Sequence, residues 1–464
     1  MIGCCFVNCK QMNDLEKINA DFARLFQDGQ EQLKAGCGMG MNAVRDSAFG
    51  QFMEMGGIPE KKEEYIYAKL LPVFGRDYHV MLKYLRQDVD LNEVFRCSVT
   101  DLVTDPILTV NGWWFDGNLA PGLPEEVVVC SLREASLKYP DLFLKYYNRN
   151  ALGARKDGLV LLNTAFAQDG VFIYVPDDVV LERPLQIINL LRARADLMGF
   201  QRNLMILGKN AKATLLVCDH TLSNQCFLMN NLLEIFLEDN ASLDYYQVQN
   251  QYLGASQINS VLVSGQRDTV FDSTLVTLYG GFIRNNLYVT LNGEGAETGL
   301  YGIYILDKNQ VVDNFSFIDH AVPHCRSNEH FKGVLDDAAT ANFSGCIRVR
   351  PDAQKTEAYQ ANNNLLISDA ARVNSKPQLV IDADDVKCSH GATVGQIDEE
   401  AMFYLRSRGI GVDEARMMMM FGFAHDIIQR VKLEPLREQI DMLVEKRLRG
   451  ELSKCYNCMM QCRK

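Results

Sequence analysis

Between residues 204 and 306 the chain repeats one unit: a short polar turn carrying Gly, Asn or Asp, then an apolar run. Leu207-Gly208-Lys209-Asn210-Ala211 precedes Thr214-Leu215-Leu216-Val217, and Leu237-Glu238-Asp239-Asn240-Ala241 precedes Leu243 to Val248. Val263-Ser264-Gly265-Gln266 precedes Val270 to Leu278, and Leu291-Asn292-Gly293-Glu294-Gly295-Ala296 precedes Leu300 to Leu306. These four turns lie 26 to 30 residues apart. A unit of that length makes one coil, and one coil cannot bury its own apolar inward face, so coils must stack into a solenoid. Turns recur at Leu335-Asp336-Asp337-Ala338 and Ile367-Ser368-Asp369-Ala370, after a wider interval from Asn292 to Asp336 that also contains Asp307-Lys308-Asn309. The fold class expected is mainly β: a right-handed parallel β-helix over 158–396, flanked by an N-terminal α/β, largely helical region (1–157) and a C-terminal helical domain (397–464). A stack has two ends with unpaired strand edges, and the two flanking regions are the expected caps.

Within the core, Val171-Phe172-Ile173-Tyr174-Val175, Leu185-Gln186-Ile187-Ile188 and Leu204-Met205-Ile206-Leu207 read as strands. Upstream, Leu15, Ile18, Phe22 and Leu25/Phe26 at helical spacing predict an amphipathic helix over 12–35. Helices are also expected over Arg45 to Met55 and Glu60 to Leu70, and short strands around Trp113-Trp114-Phe115 and Val127-Val128-Val129. Gly36-Cys37-Gly38-Met39-Gly40 is a breaker and lacks the Lys-Ser/Thr of a phosphate loop. Downstream, Asp398 can N-cap a helix reaching Arg408, with Gly409 ending it. Asp413 starts a second, with Met417/Met418, Phe421, Ala424/His425 and Ile428 on one stripe. Pro435 lies near the start of a third, with Leu436, Ile440, Leu443/Val444 and Leu448 on one face.

Composition removes several function classes. A formal net charge of −12 is the wrong sign for a nucleic-acid surface. No apolar run approaches the ~20 residues of a membrane helix, and Met1-Ile2-Gly3-Cys4-Cys5 is too short for a signal-peptide core, so a cytoplasmic protein is expected. Fourteen dispersed cysteines in such a chain read as reduced thiols. Cys4, Cys5 and Cys9, and Cys455, Cys458 and Cys462, read as tail residues without a metal role; Met12 is an alternative start.

The chemistry concentrates in Asp384-Asp385-Val386-Lys387-Cys388-Ser389-His390-Gly391-Ala392-Thr393. On a strand, Cys388 and His390 point the same way. That sets a thiol beside an imidazole, a donor pair suited to iron, zinc or copper; a buried Cys next to a hydrogen-bonded His is the plainer alternative. Around it run Gly345-Cys346-Ile347-Arg348-Val349, Ala353-Gln354-Lys355-Thr356-Glu357-Ala358-Tyr359-Gln360 and Asn362-Asn363-Asn364-Leu365-Leu366. Lys376-Pro377-Gln378-Leu379 and Phe403-Tyr404-Leu405-Arg406-Ser407-Arg408-Gly409-Ile410 complete the series. This ordered set resembles the SufB/SufD family of iron–sulfur cluster assembly proteins, and within it the SufD branch. The resemblance is close over about residues 290–430, looser from 155 to 290 and faint before that. The SufB branch carries a scaffold cysteine where this chain has Ala371, and an acidic residue after the shared histidine where this chain has Gly391.

The resemblance implies a non-catalytic scaffold subunit that forms a heterodimer with SufB and docks the SufC ATPase through its C-terminal helices. It implies that His390 lies at the SufB interface and helps hold a nascent iron–sulfur cluster built mainly on SufB thiolates, with Cys388 a weaker candidate. Arg406, Arg408, Met418 and Phe421 are the expected ATPase-docking residues, and removal of 397–464 is expected to leave the solenoid folded. No cofactor or stable metal is expected in the isolated chain; a homodimer in isolation, and FAD in the complex, are left open. The Met417–Met420 run reads either as core filler or as an adaptable binding surface.

His320, His324 and His330, with Cys325 among them, read as structural or surface residues, because Pro323 argues against the helix an H-x3-H metal pair needs. No Gly-rich nucleotide fingerprint, G-x-S-x-G elbow or HExxH occurs. The alternative from a different class is a β-helix carbohydrate-active enzyme, lyase or hydrolase. It requires paired carboxylates on one solenoid face, whereas the acids here sit mainly in turns.

Overall fold

The computed structural model describes residues 14–84, 102–117, 122–153 and 157–450; the two terminal cysteine groups and Met12 lie outside them. Four strands come from the N-terminal region: β1 (His79–Val80), β2 (Asp105–Val110), β3 (Trp113–Trp114) and β4 (Val128–Ser131). Coils of two strands each follow, beginning with β5 (Val171–Val175) and β6 (Leu185–Leu191), then β7 (Leu197–Leu207) and β8 (Lys212–Thr221). Next come β9 (Phe227–Leu237) and β10 (Ser242–Asn250), β11 (Ala255–Gly265) and β12 (Val270–Tyr279), and β13 (Phe282–Leu291) and β14 (Glu297–Leu306). The last three are β15 (Val311–His320) and β16 (Arg326–Leu335), β17 (Thr340–Val349) and β18 (Glu357–Leu366), and β19 (Arg372–Ile381) and β20 (Lys387–Gln396). The eight odd strands from β5 to β19 stack in parallel and, with β1 and β4, make one ten-stranded sheet; the eight even strands from β6 to β20, with β2 and β3, make a second. The expected β-solenoid is therefore present, as two facing parallel sheets.

The repeating turn has a backbone cause. Asp178, Asn210, Asn240, Asp268 and His324 all have positive φ (64°, 57°, 59°, 55° and 61°), each at the corner between an odd strand and the next even one. Asn and Asp tolerate that left-handed conformation best among residues with a Cβ. Side chains bond up the stack as well: Asn240 Nδ2 donates to Asn210 Oδ1 (3.0 Å), and Asn210 Nδ2 to Asp178 Oδ1 (2.7 Å). The wide interval is explained by a change of corner. Asp337 and Lys308 (φ 52° and 54°) belong to turns from even strands back to odd ones. The interval from Asn292 to Asp336 is thus one and a half coils, since β13, β15 and β17 begin 29 residues apart. The turn that continues the first series is Ala321–Cys325, which carries no Gly, Asn or Asp to betray it.

Inside, Leu, Ile, Val and Ala from both sheets form the main core, from Ile107 to Ala383. A polar ladder runs through it: Asn231 Nδ2 donates to Asn259 (2.9 Å), Asn259 Nδ2 to Asn285 (3.2 Å) and Asn285 Nδ2 to Asn314 (2.9 Å). Stacked coils allow this because each buried amide N–H meets the amide oxygen of the next coil.

The outer faces are apolar too and are covered by helices. On the odd-strand sheet, Met198, Phe200, Leu228, Ile258 and Phe282 pack against Ile18, Phe22, Phe26, Phe49 and Phe52. These belong to helices Asp14–Asp28 and Met39–Glu54; the helix expected over 12–35 is split into Asp14–Asp28 and Gln30–Lys34, the one expected over Arg45 to Met55 starts earlier, at Met39, and the one expected over Glu60 to Leu70 is only a 3-10 turn at Glu63–Tyr65. Two buried ion pairs anchor this joint, Arg202–Glu234 at 2.5 Å and Arg284–Asp313 at 2.6 Å. N-terminal strands finish the first end of the stack. β2 extends β6 and turns back through Asn111-Gly112 (φ 52° and 85°) into β3, while β4 pairs antiparallel with β5.

The C-terminal helices do not cap the other end. Helices Val412–Ile428 and Glu434–Leu448 lie along the even-strand sheet, where Ala424, Ile427, Ile428, Leu436, Ile440 and Val444 cover Val276, Leu278, Ile303, Ile305 and Val334. Buried Arg447 fastens them, donating to Leu278 O (2.8 Å), Asp307 Oδ2 (2.7 Å) and Gln310 Oε1 (2.6 Å). The expectation that 397–464 can be removed cleanly is corrected accordingly: removal would strip an apolar flank of the solenoid. Arg447→Ala should cost about 2 kcal/mol, because it leaves the part-buried Asp307 carboxylate, the Gln310 amide oxygen and the Leu278 carbonyl without their donor. Arg449→Ala, on the exposed side of the same turn, should leave the melting temperature nearly unchanged. Equal melting temperatures for the two variants would contradict this anchoring.

Candidate functional site

Both sheets stop at the same end. β19 pairs only with β17 and β20 only with β18 among the described strands. Each presents an unpaired edge, and apolar side chains go with it: Val380, Ile381 and Val394 are 44%, 40% and 50% exposed. Pro377 sits in β19, an edge position where its missing N–H is tolerated.

Register settles which way the side chains face. Ala358, Gln360, Asn362 and Asn364 of β18 are buried toward the lumen, and their partners on β20 are Cys388, His390, Ala392 and Val394. The expected thiol and imidazole therefore share the inner face of the last strand, at the mouth of the lumen. They differ in environment. Cys388 is half-buried against the main core, and that burial pushes its thiol above the ordinary value, so it rests as a thiol. His390 is exposed.

Behind His390 lies a buried polar group that the sequence reading did not assign. Gln360 is the register partner of His390, and Glu329 on β16 is the partner of Gln360. Gln360 Nε2 donates to Glu329 Oε2 at 2.6 Å. Gly345, on the facing sheet, makes the room: a Cβ there would collide with the Gln360 amide. Glu329 is fully buried, and burial pushes its carboxyl up to about 7, against the opposing effect of Ser316 and Gln360. Gln360 Oε1 has no hydrogen-bond partner. Alongside, Asn362 Nδ2 donates to Tyr304 Oη (3.0 Å), and Ser375 Oγ of β19 donates to Asn362 Oδ1 (2.7 Å). The quoted motifs thus meet in one chamber, since Gly345, Gln360, Asn362, Asn364, Pro377, Cys388 and His390 come from the four strands nearest the open end. Strand alternation was the available signal for Glu329, an acid at an inward position between Ser327 and Phe331.

The other candidates are placed as follows. His320 is buried, shares a 2.9 Å hydrogen bond with Ser327 Oγ, and is lowered to about 4 by burial. His324 is an exposed corner residue and His330 bonds Asn363 (2.9 Å), so all three are structural or surface residues. Ala371 is buried at the start of β19. Arg406 and Arg408 end the exposed helix Glu399–Ser407, whose cap is Asp398 as expected. That helix buries none of its residues, and Phe403 and Tyr404 are 74% and 57% exposed. Met418 is 44% exposed, whereas Met420 fills the joint with the solenoid and Phe421 packs partly against it. Met420 is thus core filler, while Met418 opens to solvent. Among the described residues no group of three or more His, Cys, Asp or Glu converges as a metal site, no cysteine forms a disulfide, and no helix is long and apolar enough to cross a membrane.

Comparison with known proteins matches this architecture. The family model for the SufBD core domain of the SUF system of iron–sulfur cluster assembly matches residues 190–423, and that for the SufBD N-terminal region matches 16–187. An iron–sulfur cluster assembly SufBD family protein of Synechocystis sp. is 32% identical over 321 residues, 67% of this chain and 68% of that protein. The iron–sulfur cluster assembly protein SufD of Escherichia coli is 39% identical over 189 residues, 41% of this chain and less than half (44%) of that protein. SufD of Bacillus subtilis is 26% identical over 331 residues, 70% and 74% of the two chains.

The buried Glu329 has a stability consequence. Its folded value of about 7 lies above its ordinary 4.5, so the native state favours the protonated acid. That contribution is full below about pH 4.5 and is lost as pH rises through about 7. Glu329→Gln cannot titrate. Between pH 4.5 and 8, stability should move in favour of the variant, relative to the unsubstituted protein, by roughly 3 kcal/mol. Parallel denaturation curves across that range would show that Glu329 is not held as described.

Proposed function

We propose, from the premise that the chain belongs to the SufBD family of iron–sulfur cluster assembly proteins and is SufD-like, that it is a scaffold subunit whose open solenoid end pairs with a homologous SufB. The observation that carries this reading is the shared end of the two sheets. β19 and β20 offer two parallel edges and an apolar rim, which strand addition by a partner of the same architecture would cover. His390 stands in that mouth with its imidazole accessible, on the inner face where a partner's thiolates would meet it. The nascent iron–sulfur cluster is cargo, and a borderline nitrogen donor from this chain with soft sulfur donors from the partner suits iron. Cys388, held as a half-buried thiol, is the lesser donor. When no SufB is present, the same edges suit a second copy of this chain.

The tail supports docking of the SufC ATPase. The exposed helix Glu399–Ser407 carries Phe403 and Tyr404 outward, with the Arg408 guanidinium 5.0 Å over the Tyr404 ring, and Met418 opens on the next helix. An ATPase seated there would pull on helices fastened along the even-strand sheet through Lys432, which pairs with Asp244 (2.5 Å) and Asp272 (2.8 Å), and through Arg447. On this reading the chain is itself non-catalytic, cytoplasmic, and without a resident cofactor of its own. The carbohydrate-enzyme alternative draws no support from Glu329, the inward acid of β16, which is fully buried against a glutamine.

The test is reconstitution of the complex with SufB and SufC. His390→Ala should leave the melting temperature within about 2 °C, as expected for an exposed side chain, and leave the complex assembled. Iron–sulfur content should fall about tenfold or more, as loss of a cluster donor requires, with Cys388→Ala doing less harm. A large drop in melting temperature with His390→Ala would make the residue structural, and unchanged cluster content would end its functional role.

A further inference from the structure

Resting on that reading of His390, we infer that Glu329 acts through Gln360 as a positioning residue that sets which ring nitrogen of His390 carries the proton. Three observations align. His390, Gln360 and Glu329 occupy one inward column on successive strands. Gln360 is held by Glu329 through Nε2, and its Oε1 is buried and unpartnered. Gly345 leaves that amide the space it occupies.

The chemistry follows from what a carboxyl group can do. Ionised, Glu329 only accepts, so Gln360 must offer it Nε2 and keeps Oε1 to accept an N–H from His390. The proton of His390 then sits on the inward nitrogen, and the lone pair of the other nitrogen faces outward, where a cluster donor is needed. Protonated, Glu329 can donate to Oε1. Gln360 then turns its N–H toward His390, whose inward nitrogen must accept, and the outward nitrogen carries the proton. No atom is gained or lost by the pair in this exchange apart from the one proton on Glu329. Burial pushes Glu329 up to about 7, which brings both forms within reach near neutrality. The side chains facing it from adjoining strands are Leu300, Gln360 and Ser316, none of them charged. Other titratable groups in this part of the lumen are His320, bonded to Ser327, Tyr304, bonded to Asn362 and Asn364, and the Cys388 thiol.

The ring nitrogens of His390 report directly. They can be read by two-bond nitrogen–proton NMR on the full-length chain with labelled histidine, assigned by the signals lost in His390→Asn. Between pH 6 and 8.5 the tautomer ratio of neutral His390 should change about fivefold, the effect of roughly one net hydrogen bond, with its midpoint near 7. Glu329→Gln should flatten that change while the melt stays cooperative. Gln360→Met, which removes the amide without adding charge, should flatten it too and covers the case in which the first variant folds poorly. A ratio that varies identically in the unsubstituted protein and both variants would overturn the inference. The readout needs neither iron nor partner, so its failure leaves the cluster-scaffold reading standing. Conversely, normal cluster content with His390→Ala would end that reading without touching the coupling measured here.

Discussion

Everything in this molecule depends on parallel, in-register stacking of one coil on the next. Each inward side chain sits on its counterpart from the preceding coil, about 4.8 Å below. Columns of Leu, Ile and Val bury themselves, columns of Asn satisfy one another, and corner columns of Asn and Asp hold the same left-handed turn. The same constraint makes the last coil different in kind. Its inward residues have a column beneath them and nothing above, so whatever chemistry they carry is presented at the mouth of the lumen.

The helices resolve a second problem and leave the first alone. Both sheets are apolar on their outer faces as well, so each needs a layer of helix. The N-terminal helices cover the odd-strand sheet, with the Arg202–Glu234 and Arg284–Asp313 pairs sealed beneath them. The C-terminal helices cover the even-strand sheet, with Arg447 and Lys432 as fasteners. With both flanks occupied, the edges of β19 and β20 are the surface left for pairing, and His390 lies on it. On the proposed reading, the chemistry of such a scaffold takes place at a seam between chains.

Much of this was legible in the sequence because stacking imposes period. The Gly/Asn/Asp turns from Asn210 to Asn292 gave the coil length, and Asp398 and Gly409 marked a helix whose cap is found where expected. The corner at Ala321–Cys325 was missed because His324 takes the left-handed conformation there, a residue type with weaker turn character than Asn or Gly. The helix expected over Glu60 to Leu70 failed because burial of Tyr65 and its bond to Asp157 (2.6 Å) decide that segment, and tertiary contacts override local pattern. Cys388 and His390 were singled out by their C-x-H spacing together with the surrounding motifs that carry the resemblance. Glu329 was not, since an acid in a strand normally faces water; alternation with Ser327 and Phe331 was the signal for its inward position, and the register of three strands places it beneath Gln360 and His390.

The central claim is that the open end of the stack is a joint and the flanks are not. Hydrogen–deuterium exchange of the full-length chain, alone and with SufB added, tests it most directly. The account expects amides of 372–381 and 387–396 to become protected on addition of SufB, while those of β13 and β14 in the middle of the stack stay as they were. Protection confined to the C-terminal helices, with both edge strands exchanging as before, would contradict it.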